Sequence, residues 1–534
     1  MNKSISLLLV LALLLGLLSG CANQTDNSAY VPTGDAILLE GQEPEDIMPE
    51  EEEEQSLYLA YYPDRSLNPL YGSDYTNRIL MSLMYQPLFA VNNKKQPTPI
   101  LCDRYKVSAN QRNWFIYLDP NATFSDGSAV RVEDVIASYT QAMQNDYYKN
   151  RFLMHLLSVE PTEDGGIQFA LDTAMDNLPI LLDVPIVKAS DVARTDPAMA
   201  PPVGSGPYVF VKNTGGAVLQ RNENWWCGNI KIPARDKSIE LITVSSTAEV
   251  RDAFQFGGEK SVSVVCTNPM SDSFAEYRCD YELWEIESGY MMYIGCNILY
   301  SPHFDDGTLR TFLTYGIDRE RYAQDFYKGM AEPVTLPAFP TSPYYNKALA
   351  DQYAYDSLKF ISRLGSYRIP TNDKGVQDQL VILVNSNDSA RVRIARQLAE
   401  DLTNMGLPAT TLEATNFKDV YYAQTWDIYL GMTRMSANFD LTEFFRPYGE
   451  MGKGGLSHET LYNMTKNALE NSGNYYNLYQ KLAQDGRIIP LMFGHYNVYA
   501  ERGLMPDLAP ARDNVFYYSL GKTMDGTRIE EEYE

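Results

Sequence analysis

Leu380-Val381-Ile382-Leu383-Val384, then Asn385-Ser386-Asn387-Asp388-Ser389, and later Trp426-Asp427-Ile428-Tyr429-Leu430-Gly431 form the stretch that decides the fold class. The first five residues read as a short buried strand. The loop after them ends in good N-cap residues. Val392, Ala395, Leu398, Ala399, Leu402 and Met405 then fall on one helix face, and Gly406 is placed as its stop. Strand, helix and strand in this order imply a right-handed crossover and a parallel sheet, hence an α/β fold. In such sheets ligands bind outside the carboxyl ends of the strands. Gly431 and its successors occupy such an end.

Towards the N-terminus the pattern is looser. Leu57-Tyr58-Leu59-Ala60-Tyr61-Tyr62 reads as a strand and breaks at Pro63. Between Asn77 and Tyr85, the residues Ile79, Leu80, Leu83 and Met84 make one apolar helix face. Trp114 to Leu118 alternates as a strand, and Phe124-Ser125-Asp126-Gly127 is a turn. Val132, Val135, Ile136, Tyr139 and Met143 sit at helical spacing, with Glu133 and Asp134 in the first turn, where acids favour the helix dipole.

The chain opens with Lys3, an apolar run from Ile5 to Leu18, and Leu18-Ser19-Gly20-Cys21. A charged start, a short apolar core and small residues at its end make an export signal. The run is shorter than the roughly 20 residues that span a bilayer. The ending resembles the bacterial lipobox, which implies cleavage before Cys21 and acylation of its thiol. Two or more acyl chains anchor a protein stably. Residues 1–20 therefore read as a lipoprotein signal peptide, and the mature chain as anchored on the extracytoplasmic face of the cell membrane. Nine acidic residues lie between Glu40 and Glu54, interrupted by Pro44 and Pro49. Such a segment cannot bury a core, so residues 21–55 read as a disordered tether. No other apolar run approaches membrane length.

The net charge of −25 argues against nucleic acid as a partner. Hydrophobic content of 45% supports a folded body with an ample core. Five cysteines follow Cys21, none in a C-x-x-C pair, and the histidines His155, His303, His458 and His495 stand far apart. That spacing argues against a metal site built from side chains, and no cofactor is expected. An odd number leaves at least one thiol free unless it pairs between chains. A Cys266–Cys279 loop stays possible.

Several blocks resemble, in order and spacing, the family 5 extracellular solute-binding proteins of ABC importers, the oligopeptide, dipeptide and nickel type. The first is Leu67-Asn68-Pro69-Leu70 followed by Met84-Tyr85-Gln86-Pro87-Leu88-Phe89. The second joins Trp114-Phe115-Ile116-Tyr117-Leu118, Phe124-Ser125-Asp126-Gly127 and Val132-Glu133-Asp134-Val135. The most specific is Pro202-Val203-Gly204-Ser205-Gly206-Pro207-Tyr208, with Leu219-Gln220-Arg221-Asn222-Glu223-Asn224-Trp225-Trp226 after it. Leu309-Arg310 through Tyr315-Gly316-Ile317-Asp318-Arg319 and the late Ile489-Pro490-Leu491 complete the set. Much of this has a structural reading. Gly127 and Gly206 suit positions that favour φ > 0. Trp225 and Trp226 read as packing residues, and Asp318 as an N-cap.

The resemblance implies a two-lobed, periplasmic-binding-protein-like α/β fold of type II, the large peptide-binding type with an extra subdomain in the first lobe. It places lobe I at 56–296 (subdomain about 96–200), lobe II at 297–484, and a return to lobe I at 485–534. It implies a monomeric binding protein, not an enzyme, that captures a peptide or peptide-like solute between its lobes and hands it to ABC permease subunits. Ligand would shift the population toward a closed form. Aromatic residues make up 12% of the chain, with 39 tyrosines, which fits a groove needing apolar area with polar tips.

In peptide-binding relatives a glycine ending a strand opens a segment that pairs with cargo backbone, and an aspartate beyond it holds the α-ammonium. Here Gly431, Met432 and Thr433 match that segment, while the aspartate position falls at Met435 or Ala437. Asp440 matches a later acidic position and reads as structural. Arg434 is the alternative anchor, able to grip a cargo carboxylate bidentately; as readily, it is a surface or interlobe arginine. Ser73, Asp74 and Tyr75 are candidates for the opposite wall, and Phe493 or His495 for closing one end. The competing readings are a surface hydrolase and a sensor or adhesin on the same fold. The sequence holds no G-x-S-x-G, H-E-x-x-H or Walker-type loop, and no acid pair stands out among 69 carboxylates.

Overall fold

The computed structural model describes residues 56–529, apart from 72–73, 150–151 and 268–276. Cys21, the signal-like run, the acidic tether and Ser73 lie outside the described residues. The chain begins with β1 (Tyr58–Tyr61) and α1 (Tyr75–Met84), then β2 (Cys102–Ser108), β3 (Asn113–Leu118), α2 (Val132–Ala142), β4 (Leu156–Pro161) and β5 (Ile167–Leu171). The hairpin β6 (Tyr208–Asn213) and β7 (Gly216–Arg221) leads to β8 (Ser238–Thr243), β9 (Val264–Cys266) and the long β10 (Tyr281–Cys296). After α3 (Arg319–Tyr327) come β11 (Ala331–Pro333), β12 (Leu380–Asn385), α4 (Ser389–Asn404), β13 (Ala409–Ala414), β14 (Ile428–Arg434), the long β15 (Ile488–Glu501) and β16 (Gly526–Ile529).

These strands form a sheet in the order β1-β8-β7-β6, a second in the order β16-β2-β3-β5-β4, and a third in the order β9-β15-β10-β14-β12-β13, with β11 added on β15. The expected crossover is present. Asp388 caps α4 by accepting from Arg391 N, and β12 runs parallel to β14 with Ile382 beside Ile428 and Leu383 beside Tyr429. The helix also returns through β13, parallel to β12, a strand the sequence reading passed over because Thr410, Thr411 and Glu413 break its apolar run.

The glycine block at 204–206 is explained by α1. Ile79, Leu80, Leu83 and Met84 bury the apolar face of that helix, leaving its last carbonyls to be satisfied. Gly206 N donates to Met84 O at 2.9 Å. A Cβ on Gly206 would stand 2.4 Å from Leu83 O. The sequence reading of a positive φ holds for Gly127, at +82°, and fails for Gly206, which is glycine because two backbones touch there. Trp225 Nε1 donates to Ser205 O at 3.1 Å and fixes the same loop. Asp318 caps α3 through Arg321 N.

Apolar side chains gather in separate lobes. The first lobe packs α1 and α2 against the first two sheets, with Leu80, Phe89, Val135, Phe169 and Phe516 in its core. In the second lobe, Ile294, Ile382, Ile428 and Leu430 fill one face of the third sheet, and Tyr293, Leu383 and Tyr429 the other. That is the period-two alternation of a sheet covered on both sides. Two strands pass between the lobes. Ile286 lies in the first core, and Met292, Ile294 and Cys296 further along β10 in the second. Antiparallel to it, β15 carries Ile489 and Leu491 in the second core and Tyr496, Val498 and Ala500 in the first. Their register slips between Glu287 and Met291. Gly289 sits in that slip with φ +83°, and a Cβ there would run into the Arg512 guanidinium. Each described cysteine is a free thiol, so Cys266 and Cys279 are not bridged.

Candidate functional site

The crossing strands bring residues from both lobes to one junction. From the first lobe, α1 projects Tyr75 and Arg78. From the second, β14 ends at Arg434. The Arg434 guanidinium lies 4.4 Å from the centre of the Tyr147 ring, that of Arg78 lies 3.5 Å from the same centre, and Arg434 Nη2 donates to Tyr147 Oη at 3.1 Å. Cation–π contacts of this kind strengthen as water is excluded, and Arg434 is buried. It forms an ion pair with Asp513, and Asp513 Oδ1 is 3.7 Å from Arg78 Nη1.

Glu287, at the register slip of β10, is buried beside Lys95, with which it forms an ion pair, and lies 3.6 Å from Arg512. Burial raises its pKa, yet Lys95 and Arg512 prevail and hold its carboxyl below the usual carboxylate range. The junction thus gathers four cationic side chains, Arg78, Lys95, Arg434 and Arg512, around two carboxylates, Glu287 and Asp513. Among the described residues, Arg434 Nε and Nη1 have no hydrogen-bond partner. A buried donor left in that state costs about 1–3 kcal/mol, more when charged.

Strand β14 is only half paired here. Along one edge, Gly431, Met432, Thr433 and Arg434 face Tyr293, Met292, Met291 and Tyr290 of β10. Along the other, its pairing with β12 covers Ile428 and Tyr429 only and stops at Leu383, although β12 runs on to Asn385. Gly431 leaves room for the Tyr293 ring, which a Cβ would meet at 2.6 Å. The segment beyond Tyr429 therefore presents unpaired backbone toward the junction, outside the carboxyl end of a parallel pair.

The other sequence candidates are spread around this centre. Asp74 caps α1, accepting from Asn77 N at 2.8 Å, and burial raises its pKa. Tyr75 packs on Tyr496 with ring centres 5.2 Å apart. Phe493 is fully buried between Phe339 and Phe439, at 5.9 and 5.8 Å, so it packs the second lobe's core and reaches the junction only through that core. His495 is buried against Phe339, and desolvation lowers its pKa. Met435 is buried, and its carbonyl accepts from Arg512. Asp440 holds Thr442 N at 2.8 Å and bonds His155 at 2.8 Å. Sequence reasoning missed Arg78, Tyr147, Glu287, Arg512 and Asp513. None of them carries a local motif, and their meeting depends on tertiary structure.

Two cavities open beside Arg78 and Asp513, of about 80 and 20 Å³. Ligand pockets generally measure roughly 300–1,000 Å³, so neither cavity by itself would hold a peptide. A depression of about 470 Å³ lies elsewhere, lined by Ile317, Glu332, Thr335, Tyr345 and Tyr355. It is walled by the second lobe alone, so lobe closure could not respond to an occupant.

Residues 96–455 match the sequence profile of the bacterial extracellular solute-binding proteins, family 5 (middle). The chain belongs to this family. It is 23% identical over 461 residues to the oligopeptide-binding protein AppA of Bacillus subtilis, covering 78% of this chain and 82% of that protein. The fold matches a putative peptide-binding protein AppA from Clostridium difficile with a TM-score of 0.67 at 17% identity, over 86% of this chain and 98% of the other. It also matches the ABC transporter substrate-binding protein CtaP from Listeria monocytogenes, with a TM-score of 0.65 at 17% identity, over 86% and 97%. The two-lobed fold is that of the family 5 solute-binding proteins, and its relatives bind solutes. No described helix is long and apolar enough to cross a membrane.

Proposed function

We propose that this chain is the lipid-anchored receptor of an ABC importer, closing on a peptide or peptide-like solute at the lobe junction and delivering it to membrane permease subunits. The observation that carries this reading is the half-paired end of β14. Unpaired backbone at Met432 and Thr433 accepts an extended peptide as an added strand, which supplies affinity without regard to cargo side chains. The similarity to the oligopeptide-binding protein of Bacillus subtilis supports the same cargo class. Tyr75 and Arg78 form the facing wall, with Asp74 before them. Phe493 and His495, both packed on Phe339, close one end of the groove. The lobe division adapts to the crossing strands: the first lobe takes 56–288 and 495–529, the second 290–494. Cys21 carries the lipid, and the protein acts as a monomer without catalysis.

At the positions where an ammonium-binding aspartate would stand, this chain has Met435 and Ala437. Peptides with a blocked amino end therefore bind as well as free ones. Calorimetry with free and N-acetylated peptide pools tests this. Selective binding of free-amine peptides, abolished by Asp440→Asn and indifferent to Arg434→Ala, would overturn it. Absence of heat with either pool would overturn the peptide reading itself.

A further inference from the structure

Residues 511–514 make a tight turn whose tip enters the junction. Ala511 N donates to Asn514 O at 2.9 Å and Asn514 N to Ala511 O at 3.0 Å, which leaves Arg512 and Asp513 at the apex. Asp513 takes φ +63°, a left-handed conformation that L side chains rarely adopt. Aspartate tolerates it better than most residues, yet the position is strained for any side chain. The apex is held by contacts to both lobes. Asp513 is ion-paired to Arg434 of the second lobe and stands 3.7 Å from Arg78 of the first. Arg512 donates to Met435 O of the second lobe and lies 3.6 Å from Glu287 where β10 crosses between lobes.

One carboxylate thus bridges two guanidiniums that come from opposite lobes. An anionic group on a bound solute would do the same on closure. The bridge leaves Arg434 Nε and Nη1 without acceptors among the described residues. With Asp513 displaced from Nη2, a cargo carboxylate would take Nη1 and Nη2 together, in the bidentate geometry that guanidinium prefers.

We propose that the Arg512–Asp513 apex is a built-in competitor for an anion subsite formed by Arg78 and Arg434, and that cargo enters by presenting its own carboxylate there in place of Asp513. This rests on the junction being the cargo site. The apex then has two consequences. It holds the empty protein closed, and it sets a threshold that a cargo without a carboxylate does not pass. A competitor of this kind lowers apparent affinity by the fraction of protein in which the subsite is occupied.

Two measurements test it, on wild type, Asp513→Asn, Asp513→Gly and Arg434→Gln. Glycine removes the carboxylate while suiting the left-handed backbone, so it keeps the test alive should asparagine fail to fold. Small-angle scattering of the ligand-free proteins should give a compact wild type and larger radii of gyration for all three variants. Variants as compact as wild type would overturn the claim that the apex holds the lobes. Titration with N-acetyl-trialanine and with its carboxamide is the second arm. Both Asp513 variants should bind the free acid about tenfold more tightly than wild type, and Arg434→Gln should lose the preference for acid over amide. Weaker binding of the acid by the Asp513 variants would overturn the competition. Failure of both probes on every protein would count against the peptide reading, and the scattering arm would still decide whether the apex bridges the lobes.

Discussion

His155 of the first lobe and Asp440 of the second share a hydrogen bond of 2.8 Å between Nε2 and Oδ2, across the junction and away from the arginines. The other ring nitrogen, Nδ1, lies 2.8 Å from Asp172. An imidazole that donates from both nitrogens is a cation. Burial works against that charge, yet Asp440 and Asp172 outweigh it and raise the His155 pKa to about 10. Polar contacts built on arginine and on histidine therefore join the lobes at separate places, beside the bonds that Asp176 makes to Leu469 O and Ser472 N.

The histidine contact has a pH signature. Unfolded, the imidazole titrates near 6.5. Its folded value lies above that, so its stabilisation is fully present below pH 6.5 and is lost as pH rises through about 10. Denaturant melts of wild type and His155→Gln between pH 6 and 10.5 should show a wild-type advantage of about 3 kcal/mol at the acid end that shrinks toward the alkaline end. A constant difference across the range would show that His155 contributes through packing alone.

Two glycine substitutions should separate conformation from contact. Gly127→Ala meets nothing within 4 Å and has only the left-handed φ of +82° against it. It should cost about 1–2 kcal/mol. Gly206→Ala drives a Cβ to 2.4 Å from a backbone carbonyl that cannot move without α1. It should cost at least about 3 kcal/mol, or prevent folding. Chemical denaturation of both variants gives the order, and the reverse order would remove the close-approach account.

Gly289→Ala strikes the Arg512 guanidinium as well as adopting a φ of +83°. A side-chain end can swing away, whereas a φ cannot be relieved. Adding Arg512→Ala should therefore recover part of the loss in melting temperature, a coupling of about 1 kcal/mol in a double-mutant cycle. No recovery would place the whole cost in the backbone.

Cys21→Ala should leave the precursor uncut or release the protein from membranes, read by fractionation and intact mass. A processed Cys21→Ala protein that stays with the membrane would exclude acylation at this residue.

The legible parts of the sequence were those whose cause is local. The run 380–431 declared its strand, helix and strand because each periodicity is complete within a few residues, and Asp388 and Gly406 mark the helix ends. Gly206 was found in a motif for the wrong reason, since sequence cannot distinguish a left-handed residue from one pressed against another backbone. Arg434 was singled out from the end of its strand, but its partner Asp513 lies 79 residues on, at a two-residue apex with no periodicity to mark it. His155 stands 285 residues from Asp440. Where function is assembled from such distant pairs, residue patterns give the frame, and the contacts emerge only once the chain has folded.

The strand β16 lies parallel to β2, with Gly526 beside Tyr105 and Ile529 beside Ser108. It is the last strand among the described residues, added to the edge of a sheet whose other members are all made by residue 171. Contacts of such sequence separation form late and slow assembly. A chain emerging N-terminus first would have the whole second lobe out before the first could be completed. The half-built sheet would meanwhile present β2 as a bare edge, a template for pairing with other chains. The order of emergence therefore makes the interval before residue 529 appears the period of greatest exposure to aggregation, and a chaperone that shields β2 during that interval would raise the yield of folded protein.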